Sequence, residues 1–515
     1  MAILSHPTWP RRWRTAPFAA LLALLAGTAA AADTGATPGT GLNAAPAQWQ
    51  TGLPSGGQPG NQPSNQPGGQ PGGQPGSQPA GQPGGGLGDP ASWWQQFDDP
   101  ALPVLVAAAQ AASPDLASAA ARIAQAEATR AAAAGRAAGP QVNGLLSASR
   151  GRQAADTAVA SSASAGLQAS WELDLFGGLR AARLASEARL GGAQADWHAA
   201  RVSLAAEVAD QLLALRACEQ LVQAADDEQR SRVESARLVG LAQRAGFESP
   251  ANAALAQASA AQAALAASAR RVQCGQLLQG LQALTGLAPD VLRSQLAPRS
   301  ARLPQPAQLA VLVLPAQALA QRPDVQASAL ALEAAAADVD DRRAAQRPRV
   351  ALSGNLGLGM LRSAGVSGNG SVWSLGPLEV TLPVIDGGAR QAATAAARVA
   401  YDAALSAYQA RLRTALREVE DALLRLGDGA RRRADAQAAV AGFSQALAAT
   451  EQRQRAGLAS RLELEDTRRS LLQARTQQTD TEREQVAAWI ALYRALGGGW
   501  RPTDPPPAIA SATPP

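Results

Sequence analysis

A-G-L-Q-A-S-W-E-L-D-L-F-G-G-L-R, residues 165–180, passes from one structural period to another within a single short stretch. Ala165, Leu167, Ala169, Trp171, Leu173 and Leu175 alternate with Gly166, Gln168, Ser170, Glu172 and Asp174. A period of two puts the apolar set on one face of a strand and the amides and carboxylates on the other. Gly177-Gly178 interrupts it, and a helical pattern follows for dozens of residues. The arrangement returns further along: Leu378, Val380, Leu382 and Val384 alternate with Glu379 and Thr381, and Asp386-Gly387-Gly388 opens a second long helix.

Between Gly178 and Arg244 nothing but Gly191-Gly192 opposes a helix, which at about 1.5 Å per residue would be about 100 Å long. Ala245 to Pro250 reads as a tight turn, with Ser249 as cap and Pro250 at the first helical position. The chain then returns as a helix to Thr285-Gly286, and Pro289 to Pro306 reads as connecting chain. Cys218 and Cys274 stand symmetrically about residue 246. On an antiparallel helix pair folded there, the two sulfurs lie side by side, which predicts a disulfide; two buried thiols are the alternative.

The second half repeats the first. Ser113-Pro114-Asp115 corresponds to Arg322-Pro323-Asp324, Gly139-Pro140 to Arg347-Pro348, Gly177-Gly178 to Gly387-Gly388, and Ala245-Gly246 to Ala456-Gly457, at a constant offset of 208 to 211 residues. A conserved offset across four landmarks indicates an internal duplication. Strands are expected at 141–150, 165–176, 350–360 and 372–384, the last two joined by a loop from Arg362 to Ser371. Long helices are expected at 178–244, 249–285, 388–455 and 460–496, after shorter ones at about 102–112 and from 113 to 138. Tyr401, Leu405, Tyr408, Leu412, Ala415, Val419, Ala422 and Leu426 step by four and three, and Val202, Ala205, Ala209 and Leu212 match them in the first copy. That is a coiled-coil seam.

Aromatics make up 3% of the 515 residues, the net charge is +5, and arginine supplies all of the basic side chains. Small side chains suit closely packed long helices. No basic stripe with interleaved aromatics is visible, so nucleic acid is not an expected partner. Residues 1–32 read as a secretory signal: Arg11, Arg12 and Arg14, an apolar run from Phe18 to Ala26, and Ala30 to Ala32 as the cleavage site. No cysteine is available there for lipid attachment. Residues 33–90, with reiterated GGQPG and NQP units, read as a disordered leader, and 501–515 as a disordered tail. Outside the signal, no run approaches 18 apolar residues, so any membrane crossing has to use strands. The one histidine beyond the signal, His198, falls on a seam position equivalent to Tyr408. No Ser/His/Asp set, metal spacing or phosphate loop is present, so the chain is read as no enzyme, with neither cofactor nor metal.

Taken in order, the motifs WW..F.DP.L, WELDLFGGLR, the Ala-Gly turns, RPDV (322–325), LPVIDGGAR, EVEDAL (418–423) and ALYRALGGGW (491–500) resemble the outer-membrane efflux proteins. These are the TolC-like exit ducts of tripartite pumps, and the likeness is to their NodT-like branch. It covers about residues 92 to 500, with a first repeat at 91–300 and a second at 301–500. The resemblance implies a mixed α and β fold. What it implies is a homotrimeric outer-membrane β-barrel, four strands per chain and twelve in all, continued by a long periplasmic α-helical barrel. It also implies a passive duct working with a periplasmic adaptor protein and an inner-membrane transporter, in contact with outer-membrane lipid. Trp171, Leu173 and Val380 are then expected to face lipid, with Trp171 and Trp373 as alternative rim residues, and Glu172, Asp174 and Glu379 to face the lumen. By motif, the periplasmic gate falls on Leu462, Asp466 and Arg469, with Glu463 and Glu465 adding negative charge; an ordinary exposed helix face with an Asp–Arg pair is the alternative. Gly246, Phe247, Gly457 and Leu458 become the adaptor-contact tips. Two departures concern only N-terminal anchoring: the absent acyl-accepting cysteine and the Gly/Pro/Gln leader. The competing assignment, a periplasmic coiled-coil structural or adaptor protein, has no need of four amphipathic strands.

Overall fold

The computed structural model describes residues 94–152, 159–304, 319–501 and 504–505. The expected signal, the leader and nearly all of the tail lie outside the described residues. A 3-10 turn at Trp94–Phe97 leads into α1 (Ala101–Ala112) and α2 (Pro114–Ala138), and then β1 (Gln141–Gly151) and β2 (Ala160–Leu173). The helices α3 (Gly178–Arg244), α4 (Pro250–Thr285) and α5 (Pro289–Leu296) complete the first half. The second half runs α6 (Pro323–Ala344), β3 (Arg349–Ser363), β4 (Val366–Thr381), α7 (Ala389–Arg455) and α8 (Arg461–Ala495). Among the described residues no single helix is long and apolar enough to cross a membrane.

The duplication shows in the packing. Helix α2 lies on α3 as α6 lies on α7, and the pairs α3–α4 and α7–α8 form two long hairpins. Helix α3 joins the halves, because it also packs against α1, α6 and α8. Gly191, read in the sequence as a weak point, lets α6 approach: a Cβ there would lie 3.1 Å from Leu330 Cδ1. Tyr408, Ala415, Val419, Ala422 and Leu426 are buried along the α7 seam, and Val202, Ala205, Ala209 and Leu212 along that of α3. The hydrophobic core sits at mid-height, where Leu105, Leu213, Leu281, Leu292, Leu423 and Ile490 meet. Trp94 stacks against Phe97 and Tyr493 there, at ring distances of 5.4 and 4.6 Å.

The four strands form one antiparallel sheet in the order β1-β2-β3-β4. Val142↔Ala169, Leu167↔Leu356 and Leu356↔Trp373 fall on one face, with Trp171↔Leu352↔Leu378 and Val350↔Val380. Gln168↔Asn355↔Ser374 and Glu172↔Ala351↔Glu379 fall on the other. Each partner sits directly opposite, so the apolar and polar sets stay separated across the sheet. Among the described residues no helix packs across the apolar face: Leu356, Leu358, Leu375 and Val380 are 60 to 80% exposed. Glycines let β2 and β3 pair closely, since a Cβ on Gly166 would lie 2.6 Å from the Leu356 carbonyl oxygen.

Several boundaries differ from expectation. Strand β2 starts at Ala160 rather than 165, because its serines pair with those of β1: Ser147 and Ser149 meet Ser164 and Ser162 at Oγ–Oγ distances of 2.7 and 2.8 Å. The predicted loop at Arg362–Ser371 is nearly all strand, since Ser363 pairs with Val366. Ala364 and Gly365, at φ 51° and 84°, make the two-residue turn that matches strand twist. The connecting chain at 289–306 contains α5, where Pro289 starts a helix whose Leu292 and Leu296 are buried one turn apart. Trp373 lies in mid-strand opposite Leu356, not at an end of the sheet.

Cys218 and Cys274 are joined in a disulfide, with Cα atoms 5.6 Å apart, clipping α3 to α4 across 56 residues of sequence. Closing a loop of that length removes unfolded-state entropy equivalent to about 4 kcal/mol. Replacing both cysteines by serine is therefore expected to lower helical stability by about 2–4 kcal/mol, read as an earlier loss of far-ultraviolet circular dichroism on heating. A reducing agent should reproduce the change in the parent and leave the variant unmoved.

Candidate functional site

Three places on the chain collect the side chains that sequence singled out: the two helix–helix turns, the first turns of α8, and the base of the sheet. At the turns, the helix ends close by the same hydrogen bonds in both halves. Phe247 N–H donates to Ala242 O at 2.9 Å and Leu458 N–H to Arg453 O at 2.8 Å, with Gly246 and Gly457 at φ 82° and 74°. This six-to-one closure needs a left-handed residue, which glycine supplies without a steric penalty. Ser249 and Ser460 then cap the returning helices, accepting from Asn252 N–H at 3.1 Å and Glu463 N–H at 3.0 Å. Both motifs push a large apolar side chain outward, Phe247 at 85% and Leu458 at 73% exposure.

On α8, Leu462, Asp466 and Arg469 follow the four-then-three spacing that aligns side chains along one helical stripe. Leu462 is 42% exposed, and the Asp466 side chain is also open to solvent. Arg469 is tucked in: it pairs with Asp466 and donates from Nη1 to Ser235 Oγ on α3 at 3.3 Å. Burial, then the neighbouring Arg232, pull its pKa below the usual guanidinium range, against the opposing Glu465 and Glu228 carboxylates. The two acids expected to add negative charge, Glu463 and Glu465, both have partners. Glu465 is buried, accepts from Ser231 and pairs with Arg468 at 3.0 Å, while Glu463 pairs with Arg453 at 2.8 Å.

At the base of the sheet, Glu172 pairs with Arg349 at 3.2 Å, and Glu379 accepts from Thr381 Oγ1 at 3.3 Å; both carboxylates lie on the polar face. The assignment of Asp174 to that strand face is also corrected. Strand β2 ends at Leu173, and Asp174 instead caps α3, accepting from Leu179 and Arg180 N–H at 3.2 and 2.8 Å. Asp386 does the same for α7, accepting from Gly388 and Arg390 N–H at 2.9 and 3.2 Å. A carboxylate over an open helix N-terminus is favoured by the unpaired amides and the macrodipole. An acid just ahead of the Gly-Gly pair in both halves, Asp174 three residues before Gly177 and Asp386 one before Gly387, was the signal that could have revealed this.

Two ion-pair centres were not anticipated in their roles. Fully buried Arg216 on α3 donates from Nε to Asp99 at 3.2 Å, tying the segment before α1 to the long helix. Arg322, at the start of α6 where Ser113 caps α2, donates to both oxygens of Asp324 at 3.0 and 2.8 Å, to Glu418 on α7 at 2.7 Å and to Ala495 O on α8 at 2.8 Å. Three helices thus meet on one guanidinium fork, a geometry lysine could not reproduce. His198 is buried edge-on against Trp197 at 4.9 Å, and burial, then Arg201, pull its pKa down against Asp504. Among the described residues no cluster of His, Cys, Asp and Glu could hold a metal ion.

For Asp324, burial alone would raise the carboxyl pKa, but Arg322 and Arg411 outweigh it and hold it below the ordinary range. A depressed native pKa contributes stability above the unfolded value of about 3.9, and that contribution is lost as pH falls through the native value. Asp324→Asn is expected to cost about 2–3 kcal/mol at pH 7, discounted from a fully buried pair because the carboxylate keeps some solvent. In thermal unfolding, the gap between parent and variant should narrow steadily below about pH 4.

The family description for outer membrane efflux proteins matches residues 105–287 and 314–498. The chain is 33% identical to the pyoverdine export outer membrane protein OpmQ of Pseudomonas putida, over 80% of this chain and 89% of that protein. It is 31% identical to outer membrane protein OprJ of Pseudomonas aeruginosa, over 70% and 76%. Among solved structures, the outer-membrane channel OprN superposes with a TM-score of 0.70 at 30% identity, covering 79% of this chain and 92% of that one. The outer membrane protein VceC of Vibrio cholerae gives 0.68 at 23% identity, covering 80% and 99%, a likeness of fold.

Proposed function

The chain belongs to the outer membrane efflux protein family, and from that premise we propose the following assembly and mechanism for its role as an outer-membrane exit duct. Three copies join their sheets edge to edge into one twelve-stranded barrel, and the helices continue it as a periplasmic tunnel. Substrate reaches the tunnel from an inner-membrane transporter through a periplasmic adaptor and leaves passively to the exterior. Residues 1–32 direct export of the chain.

The observation that carries this reading is the sheet. Among the described residues its two outer strands have open edges, and nothing covers its apolar face. In hydrocarbon every backbone polar group needs a partner, so a four-stranded sheet requires copies of itself to close. The uncovered Leu, Val and Trp side chains then meet lipid, and Gln168, Asn355, Ser374, Glu172 and Glu379 line water. Asp174 sits just below that wall, at the join to the tunnel. A soluble adaptor would leave the same apolar face in water, where exposed patches of this size promote association.

Leu462, Asp466 and Arg469 form the periplasmic gate. Three symmetry-related Leu462 side chains narrow the hole, and three Asp466 carboxylates ring it. Arg469 holds each Asp466 in place while anchored to Ser235 on the neighbouring helix of the same chain. Gly246, Phe247, Gly457 and Leu458 present the adaptor-facing tips, where two exposed apolar side chains on rigid turns offer anchors of the kind that dominate interfaces.

Two measurements test this. Expressed from its full gene, the protein should fractionate with the outer membrane as a detergent-resistant trimer and conduct in planar bilayers; a water-soluble monomer without β-structure would end the proposal. In the same bilayers, Asp466→Ala with Arg469→Ala should raise single-channel conductance several-fold over the parent. An unchanged conductance would remove these residues from the gate while leaving the duct intact.

A further inference from the structure

The outward face of the sheet is apolar for most of its length and then changes character at one row. Along β3, Val350, Leu352, Leu356, Leu358 and Met360 share the apolar face, and Arg362 is next in the same alternation. In register with it stand Ser161 on β2, Arg150 on β1 and Ser367 on β4. From Val350 to Met360 the strand rises about 33 Å, or about 25 Å along the membrane normal at a tilt of about 40°. That is the height of the apolar band of a membrane barrel. The Arg150–Ser161–Arg362–Ser367 row therefore begins where hydrocarbon ends, at the hairpin end of the sheet, opposite the helices.

Arg150 and Arg362 are exposed, and among the described residues neither has a hydrogen-bond or ion-pair partner. They flank Ser161 two strand spacings apart, about 9.6 Å between backbones. Flexible stems let both guanidinium forks converge on one group above the serine hydroxyl. The described parts of the sheet between Val142 and Leu378 contain no carboxylate, except Glu172 at the base; Asp156 lies outside the described residues. Two arginines with no carboxylate beside them among the described residues, on a lipid-side row, form a site for a doubly charged oxyanion, since guanidinium binds phosphate through two parallel hydrogen bonds.

We propose that the Arg150–Ser161–Arg362 row on the outward face binds the phosphate of an anionic lipid in the outer leaflet, the phosphorylated glucosamine glycolipid of that leaflet being the source. The inference depends on the orientation given above, with hairpins outside and helices in the periplasm. Binding there fixes the barrel's depth and grips the leaflet where the apolar band stops. Serine adds a hydroxyl donor between the two forks. On the opposite face Arg349 is already paired with Glu172, so it is a control cation of the same sheet.

The test uses the full chain in vesicles of phosphatidylethanolamine doped with bisphosphorylated lipid A, with monophosphoryl lipid A, or with neither. Lipid A retained per protein after mild detergent extraction is counted by native mass spectrometry. Arg150→Gln with Arg362→Gln should lower retention of the bisphosphorylated form about tenfold, as expected for losing two charge-assisted contacts. Arg150→Lys with Arg362→Lys should keep an intermediate amount, and Arg349→Gln should match the parent. Conductance of the double glutamine variant in vesicles without lipid A should equal that of the parent, so failure of the duct itself is read separately. Retention unchanged in the glutamine variant overturns the proposal. So does loss of retention on adding millimolar inorganic phosphate together with equal retention of both lipid A forms, which would mark a free-phosphate site.

Discussion

An antiparallel sheet with two open edges and one uncovered apolar face cannot be a finished structure. Each edge leaves a ladder of unpaired N–H and C=O groups, and each exposed leucine on the outer face would cost free energy in water. The assembly proposed above answers both problems at once, by pairing with further copies in a medium that accepts apolar side chains. The rest of the chain is arranged to permit this. Among the described residues no helix crosses the sheet, and the helices leave from one end of it only. The glycine pair Gly166 and Gly357 keeps β2 and β3 in close register across the middle of the wall.

The join between sheet and helices is as constrained as the sheet itself. At each join a strand ends and a helix of 67 residues begins within a few positions. Asp174 and Asp386 place a carboxylate on the exposed amides of those helix starts, so an acidic residue that resembles a strand position is used as a cap. Farther down, α3 is the common neighbour of helices from both halves, and the disulfide fixes its partner α4 at a single point. The second hairpin, α7–α8, has no such covalent tie among the described residues, and it carries the Leu462–Asp466–Arg469 stripe. Its contacts with α3 near that stripe are polar: Arg469 with Ser235, Ser231 with Glu465, and Arg461 with Glu234. Polar contacts can be exchanged for water at small cost, unlike the leucine core at mid-height.

Arginine carries much of the tertiary specificity in a chain with few aromatics. Arg216 and Arg322 are both buried and both link segments distant in sequence. Each replaces what a larger apolar core would do elsewhere. Such pairs define geometry more than they add net stability, because desolvation offsets much of the Coulomb attraction.

The sequence by itself determined most of the element types, the duplication, the seam and the two helix–helix turns, because these follow from periods of two, 3.5 and 3.6 and from local turn chemistry. The serine-rich start of β2 was not legible: Ser and Ala carry little strand signal, and only cross-strand pairing with Ser147 and Ser149 makes them strand. The short α5 was hidden by its prolines, although burial of Leu292 and Leu296 against the core stabilises it. Tertiary structure alone decided which charges are free. Glu465 reads in the sequence as local charge on α8, yet it is buried against Ser231 on α3, an element that sequence order does not bring beside it; Asp174 reads as a strand position, yet it is bound to the helix start that follows it.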